Sequence, residues 1–372
     1  MSKKIYFDSV STTSLNPEVL KAYKQLLDNH YCNSEALYDD GVAVYNLQEK
    51  SRRLIGEMLG VAAEEVIFTA GASEANSLAI KGYCLNGHKS GHLITSTYEH
   101  SSVHNAFKQL EELFGFEVSY LTPNAQGIIE PEQVRAALRP DTLLVSIMMV
   151  NNEIGAINDV ASIAKIIRYH SAAVFHCDLT QAIGKIPVNL SDIDLASFSA
   201  HKIHGLKGSG ALIRKRHIRL MPLISGGQQE FGLRGGTSNA PANIVLAKTL
   251  RIALEQMEQQ HPHLQQLHDY FSEQIREVPG VRINSDPSAL ISLFNISTPL
   301  TSEVLLNVLN RKGIMVSSKS TCGSRKNEEN RALAALAVDD DYVIRVSFDY
   351  SNTTEEIDYF IDCLKEAIKH YA

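Results

Sequence analysis

The run Glu64-Glu65-Val66-Ile67-Phe68-Thr69-Ala70-Gly71-Ala72-Ser73-Glu74-Ala75-Asn76 joins a short apolar segment to a helix through a glycine turn. Glu64–Ala70 reads as a strand and the stretch from about Ser73 to Leu85 as a helix. The same grammar repeats downstream. His92–Ser96 is a strand, and Ser101 to about Leu113 a helix with Phe107, Leu110 and Leu113 at helical spacing. Glu117–Leu121, Thr142–Val150 and Ala173–Cys177 read as strands, and between the last two Val160, Ile163, Ala164, Ile166 and Ile167 mark a helix face. Leu195–Ser199 and Ala211–Ile213 complete the series. Such alternation predicts an α/β fold, a mainly parallel sheet covered by helices on both faces.

Beyond Pro241 the texture changes. A helix over Ile244–Gln260 leads to another ending near Val278, then come strands Val281–Asn284 and Leu290–Ile296 and helix Ser302–Lys312. Strands Ile314–Ser317 and Val343–Phe348 and a final helix Thr354–His370 follow. This second stretch reads as a smaller α+β domain, in keeping with 372 residues, more than one hydrophobic core usually serves.

Composition narrows the function. Hydrophobic residues are 44% and charged residues 21%, ordinary for a globular chain, and the formal net charge of −7 comes with no basic block, so direct nucleic-acid binding is not expected. No secretory leader or membrane span is expected either. Cys32, Cys84, Cys177, Cys322 and Cys363 are scattered, without a CxxC pair. That argues against a disulfide framework or structural zinc and for a reducing cytoplasm. The histidines lack ligand spacing, so no metal is implied, and no GxGxxG follows the first strand, which removes a dehydrogenase reading.

In an open parallel sheet ligands sit beyond the carboxyl ends of the strands, and three polar features fall there. Gly71 lets the backbone turn so that the N–H groups of Ala72 and Ser73 and the helix dipole face a phosphate. Asp178 follows the strand Val174-Phe175-His176-Cys177, where a carboxylate can keep a pyridine nitrogen protonated. Lys202 closes Ser197-Phe198-Ser199-Ala200-His201-Lys202 and can form an imine with an aldehyde. Each feature alone is more often a helix cap, a turn residue or a solvated lysine. Together, in this order, they point to pyridoxal 5'-phosphate.

The strings FTAGASEANSLAIKG, EHSSV, SIMMVNNEIGAI, HCDLTQAIGK, SFSAHKIHGLKGSGAL, GGQQEFGLRGGTSN and IRVSFDYSNTTEEID resemble successive motifs of the cysteine desulfurases, NifS/IscS-like branch, within the class V aminotransferases. The resemblance runs collinearly over nearly the whole chain. It implies the type I fold of pyridoxal-phosphate enzymes with a seven-stranded, mainly parallel sheet, and a homodimer. It also implies a large cofactor-binding domain at 14–250 and a small domain formed by 1–13 and 251–372.

Residue by residue, Lys202 resembles the lysine that carries the cofactor, Asp178 the partner of its ring nitrogen, and Gln181 a donor to its ring hydroxyl. Asn152 resembles a residue near that hydroxyl and the substrate. Ala72, Ser73, Ser199 and His201 resemble phosphate ligands, and Thr237 a phosphate ligand given by the other subunit. His100 resembles the histidine that stacks on the ring and assists proton transfer. Arg345 resembles the arginine that grips the substrate carboxylate, with Asn33 near the same group. Around Asn33 the chain reads CNSEALY where Asn-Pro followed by small residues is usual.

Cys322 stands in Ser317-Ser318-Lys319-Ser320-Thr321-Cys322-Gly323-Ser324-Arg325-Lys326, small and polar, with Lys319, Arg325 and Lys326 nearby. Such a setting exposes a thiol and favours its thiolate. Its position resembles the persulfide-forming cysteine of the family, although Lys319 and Thr321 replace a glycine and an alanine, and the following GSRKNEENRALAAL is more charged than usual. The expected reaction converts L-cysteine to L-alanine and passes sulfur to an acceptor protein, an iron–sulfur scaffold or a tRNA-thiolation enzyme. A related lyase such as a selenocysteine lyase, or a non-catalytic partner-binding subunit, are the alternatives. Replacing Cys322 by alanine separates them: sulfur delivery is expected to vanish while L-cysteine still alters the cofactor's visible absorption. Undiminished sulfide release by Cys322→Ala would exclude a persulfide at this position.

Overall fold

The computed structural model describes residues 4–318 and 331–372. Its chain runs β1 (Ile5–Tyr6), α1 (Pro17–Asn29), α2 (Asp39–Leu59), β2 (Val66–Thr69), α3 (Ala72–Cys84), β3 (His92–Ser96), α4 (Ser101–Phe114), β4 (Glu117–Leu121), α5 (Pro131–Ala137), β5 (Thr142–Ser146) and α6 (Val160–His170). It continues through β6 (Val174–Asp178), β7 (Leu195–Ser199), β8 (Gly210–Arg214), α7 (Ala240–Arg276), β9 (Arg282–Ile283), β10 (Leu293–Ser297), α8 (Ser302–Arg311), β11 (Ile314–Met315), α9 (Arg331–Ala335), β12 (Val343–Ser347) and α10 (Thr354–Tyr371).

The central sheet has seven strands in the order β2-β8-β7-β6-β5-β3-β4, the α/β architecture expected. Only β8 opposes its neighbours, so β2, β7, β6, β5, β3 and β4 all present their carboxyl ends to one edge. The registers Thr69↔Gly210 and Ser199↔Gly210 bring the end of β2 beside the end of β7. One core fills the space around this sheet with Ile94, Val145, Phe175, Phe198 and Leu250, all buried. A second core joins Phe7, Phe271, Phe294, Phe348 and Phe360 behind the antiparallel sheet β12-β10-β9. Its rings meet edge-on or tilted, Phe7 and Phe348 with centroids 5.1 Å apart and Phe271 and Phe294 at 4.5 Å.

The sequence reading and the structure part in a few places. The two helices expected after Pro241 are one helix of 37 residues, α7, with Pro262 inside it. Proline removes one backbone donor, but Leu246 and Leu250 on the first core and Leu267, Phe271 and Ile275 on the second hold both halves in line. The strand predicted over Thr142–Val150 stops at Ser146, and its remainder crosses toward β6 through Ile147 N to His176 O and Met149 N to Asp178 O. Helix α2 has no counterpart in the apolar pattern because its buried face carries Gln48, Ser51 and Arg52 beside Val44 and Ile55.

Arg52 anchors that face. Its guanidinium bonds Glu230 through Nη1 at 2.8 Å and Nη2 at 2.9 Å and also donates to Val66 O, while Glu230 Oε2 accepts from Phe68 N at 2.8 Å. Phe68 and Phe231 cover it at 4.6 and 5.0 Å from their ring centres. The pair thus pins the Gln229–Gly232 turn to β2, although Glu230 and Phe231 hold φ of 50° and 59° to reach it. Glu230→Gln would leave the buried Arg52 with only the partly exposed Glu49, 2.9 Å from its Nε, as counter-charge, an expected loss of about 3 kcal/mol, read as an earlier unfolding midpoint in urea. Joint replacement by Arg52→Met and Glu230→Leu is expected to recover much of that loss.

Candidate active site

A cavity of about 200 Å³ opens at the carboxyl edge of the sheet. Ala72, Ser73, His100, Asn152, Asp178, Gln181, Ser199, His201, Lys202 and Arg345 all line it. Asn33 and Thr237 do not: both are exposed, and Asn33 Oδ1 is engaged by Glu35 N at 3.0 Å. Cys322 lies outside the described residues. The sequence reading missed Val10, Ser11, Met148, Val150 and Thr180 on the cavity wall. Val10 and Ser11 carry no motif: Val10 contributes main chain, and Ser11 its carbonyl and a hydroxyl against Arg345.

One part of the wall is built for an anion. Gly71 holds φ of 142° before α3, whose first turn, outside the helix's own hydrogen bonding, lines the cavity with Ala72 and Ser73. A Cβ on Gly210 would stand 2.8 Å from Gly71 Cα, so the close approach of β8 and this turn requires glycine. Ala72 N donates to Ser199 Oγ at 2.7 Å, which draws the β7 hydroxyl onto the helix terminus. Beside it His201 bonds Thr12 Oγ1 through Nδ1 at 3.1 Å. Burial, with Lys202, Lys207 and Lys185 nearby, pushes His201 down to about 4.

Lys202 ends the turn that follows β7, and its Nζ donates to Val10 O at 2.7 Å and Ser11 O at 2.8 Å. Gln181 Nε2 donates to the same Val10 carbonyl at 3.1 Å, and Lys185 Nζ donates to Gln181 Oε1 at 2.5 Å. Burial, reinforced by Lys202 and Arg345, pushes Lys185 down to about 7. Asp178, on the last position of β6, accepts at both oxygens: Oδ2 from Asn76 Nδ2 at 2.8 Å and Oδ1 from Thr180 N at 2.9 Å. His100 caps α4, and the preceding Glu99 accepts from Ser96 Oγ at 2.7 Å and Met148 N at 2.9 Å, tying β3 to the segment after β5. Burial raises Glu99 to about 8 and lowers His100.

Arg345 rises from β12 and is 2% exposed. Nη1 donates to Asn152 O at 2.8 Å and Glu153 Oε1 at 3.3 Å, and Nη2 to Ser11 Oγ at 2.7 Å and Asp8 Oδ1 at 3.2 Å. Its Nε is buried without a hydrogen-bond partner, a donor held ready for an acceptor. Among the described cysteines Cys84, Cys177 and Cys363 are buried, and burial pushes each thiol up, away from reactivity.

This donor set suits pyridoxal phosphate. A lysine amine, a carboxylate and an amide surround one cavity, and a helix N-terminus with two hydroxyls, Ser73 and Ser199, supplies the anion wall. Arg345 Nε is a further buried donor without a hydrogen-bond partner.

Comparison with known proteins agrees. The aminotransferase class V family profile matches residues 5–360. A NifS/IcsS protein homolog of Lactobacillus delbrueckii subsp. bulgaricus is 38% identical over 379 residues, covering 99% of this chain and 98% of the relative. A cysteine desulfurase IscS of Klebsiella pneumoniae is 38% identical over 384 residues, covering 99% and 93%. A solved NifS-like protein superposes with a TM-score of 0.93 at 31% identity, over 99% of this chain and 100% of its own. The chain therefore belongs to the class V aminotransferase family, and within it to the pyridoxal-phosphate-dependent cysteine desulfurases of the NifS/IscS-like branch.

Proposed function

We propose that this protein takes sulfur from L-cysteine, releases L-alanine, and holds the sulfur as a persulfide on Cys322 for a protein acceptor. The observation that supports it most is the convergence of Lys202, Asp178, His100 and Arg345 on one cavity. When bound, pyridoxal phosphate supplies an electron sink for the carbon framework of the amino acid. Ala72, Ser73, Ser199 and His201 would hold its phosphate and Lys202 its aldehyde carbon. Asp178 would keep the proton on the ring nitrogen, and Gln181 and Asn152 would face the ring hydroxyl.

The remaining steps belong to side chains. Arg345 pairs the substrate carboxylate and fixes the amino acid in one orientation. Lys202, once released from the cofactor, takes the α-proton at Nζ. Cys322 thiolate attacks the substrate sulfur: a sulfur–sulfur bond forms as the Cβ–S bond breaks. The bonding pair stays with carbon, which takes a proton and leaves as alanine. Cysteine and the Cys322 thiol thus give alanine and a Cys322 persulfide, with no external oxidant or reductant.

Exposed apolar side chains on the outer surface support a second copy of the chain there. Tyr31 is 79% and Leu37 95% exposed, and Tyr38, Tyr45 and Phe231 add further uncovered apolar area. We assign this face to a homodimer in which Thr237 of one subunit completes the phosphate site of its partner. The acceptor is an iron–sulfur scaffold or a tRNA-thiolation protein, and a reducing cytoplasm suits the thiol chemistry. Among the described residues no helix is long and apolar enough to cross a membrane.

Arg345→Lys removes the Nε donor and the planar guanidinium and is expected to raise KM for L-cysteine roughly 10–100-fold, with a smaller change in kcat, by steady-state alanine formation. An unchanged KM would take the carboxylate away from Arg345. Incubation with sulfur-labelled cysteine and mapping of persulfides by mass spectrometry is expected to find label on Cys322. Label on another cysteine would overturn the assignment.

A further inference from the structure

Behind the cavity, four side chains form a hydrogen-bonded chain whose direction is fixed at one end. Asp178 Oδ2 is an acceptor, so the Asn76 group facing it at 2.8 Å is the amide nitrogen. The second hydrogen of that nitrogen goes to Ser102 Oγ at 2.9 Å. Ser102 Oγ stands 2.8 Å from His100 Nδ1 and keeps one hydrogen to give it. The main-chain N–H of Ser102 reaches the same Nδ1 at 3.2 Å, and an N–H can only donate. Two donors therefore converge on Nδ1, which must carry a lone pair. The other end of Asn76 supports this polarity independently: its Oδ1 is buried with no hydrogen-bond partner, so the amide leaves an acceptor unsatisfied to keep both hydrogens on Asp178 and Ser102.

We propose that Asn76 and Ser102 are positioning residues that transmit the carboxylate of Asp178 to His100 and hold its imidazole neutral with the proton on Nε2. His100 then presents an N–H donor from its free nitrogen, and Lys202 is left as the base of the cavity. The charged groups acting on His100 are Asp178, which favours its protonation, and Lys202, which opposes it together with burial. Protonation at Nδ1 would set an N–H against two donors, so the relay works in the same direction as burial. The inference rests on the assignment of His100 and Asp178 to the active site.

The test is nitrogen-15 NMR of the holoenzyme labelled in histidine, with His100→Gln identifying the His100 signals. The expected pattern is that of the neutral tautomer protonated at Nε2. Ser102→Ala removes the hydroxyl donor, and Asn76→Leu removes the amide that holds that hydroxyl turned toward Nδ1. Both are expected to raise the His100 titration midpoint, by about half a pH unit or more. A proton on Nδ1 in the parent enzyme, or a midpoint unmoved in both variants, would overturn the relay. His100 signals indifferent to removal of the cofactor would instead overturn its place in the active site.

Discussion

The close approach of Gly71 to Gly210 is the constraint from which the cavity follows. A side chain on Gly210 would lie 2.4 Å from Phe198 O and 2.8 Å from Gly71 Cα, so β7, β8 and the β2–α3 turn are locked at backbone distance. That contact puts the N-terminus of α3 over Ser199 and sets the helix so that Asn76, one turn on, faces Asp178. Lys202 follows Ser199 by three residues and inherits the same placement. Anion wall, carboxylate and lysine are thus consequences of one tight crossing rather than three separate devices.

Arg345 shows a different economy. The arginine would meet a substrate carboxylate, yet Asp8 and Glu153 already stand against it. A buried guanidinium with no counter-charge would be costly, so the two acids, Ser11 and Asn152 O stabilise it before substrate arrives. Those same contacts limit how strongly it can bind, since a substrate carboxylate gains only what the protein's own acceptors do not already provide. Specificity for an amino acid then comes from geometry, the fork of Arg345 set against Lys202, more than from charge alone.

Much of this was legible in the sequence. The strand–glycine–helix run at 64–76 and the polar residues closing strands near 178 and 202 located the sheet edge, because local chemistry and tertiary position coincide there. The collinear motifs then named the wall residues, and the cavity collects most of them. What was not legible depends on contacts between distant segments. The buried face of α2 is polar, so no apolar periodicity announces it. Val10 and Ser11 meet Lys202 through carbonyl oxygens, which every residue has. Asn76 and Ser102 lay inside quoted motifs, but only the meeting of α3, α4 and β6 turns them into a connected pair. The two helices expected after Pro241 are one, because packing on two cores carries α7 through Pro262.

The route of the first dozen residues bears on how the enzyme is assembled. β1 pairs with β11, Asp8 bridges Ser347, and Ser9 Oγ donates to Phe348 O across 339 positions of sequence. The carbonyls of Val10 and Ser11, which receive Lys202, hang from that seam. A chain emerging from the ribosome can form most of the large sheet early, but the segment before α1 stays unattached until β11 and β12 exist. The wall that faces Lys202 is therefore made from residues that precede the large sheet in the chain, and it is among the last parts of the site to be put in place.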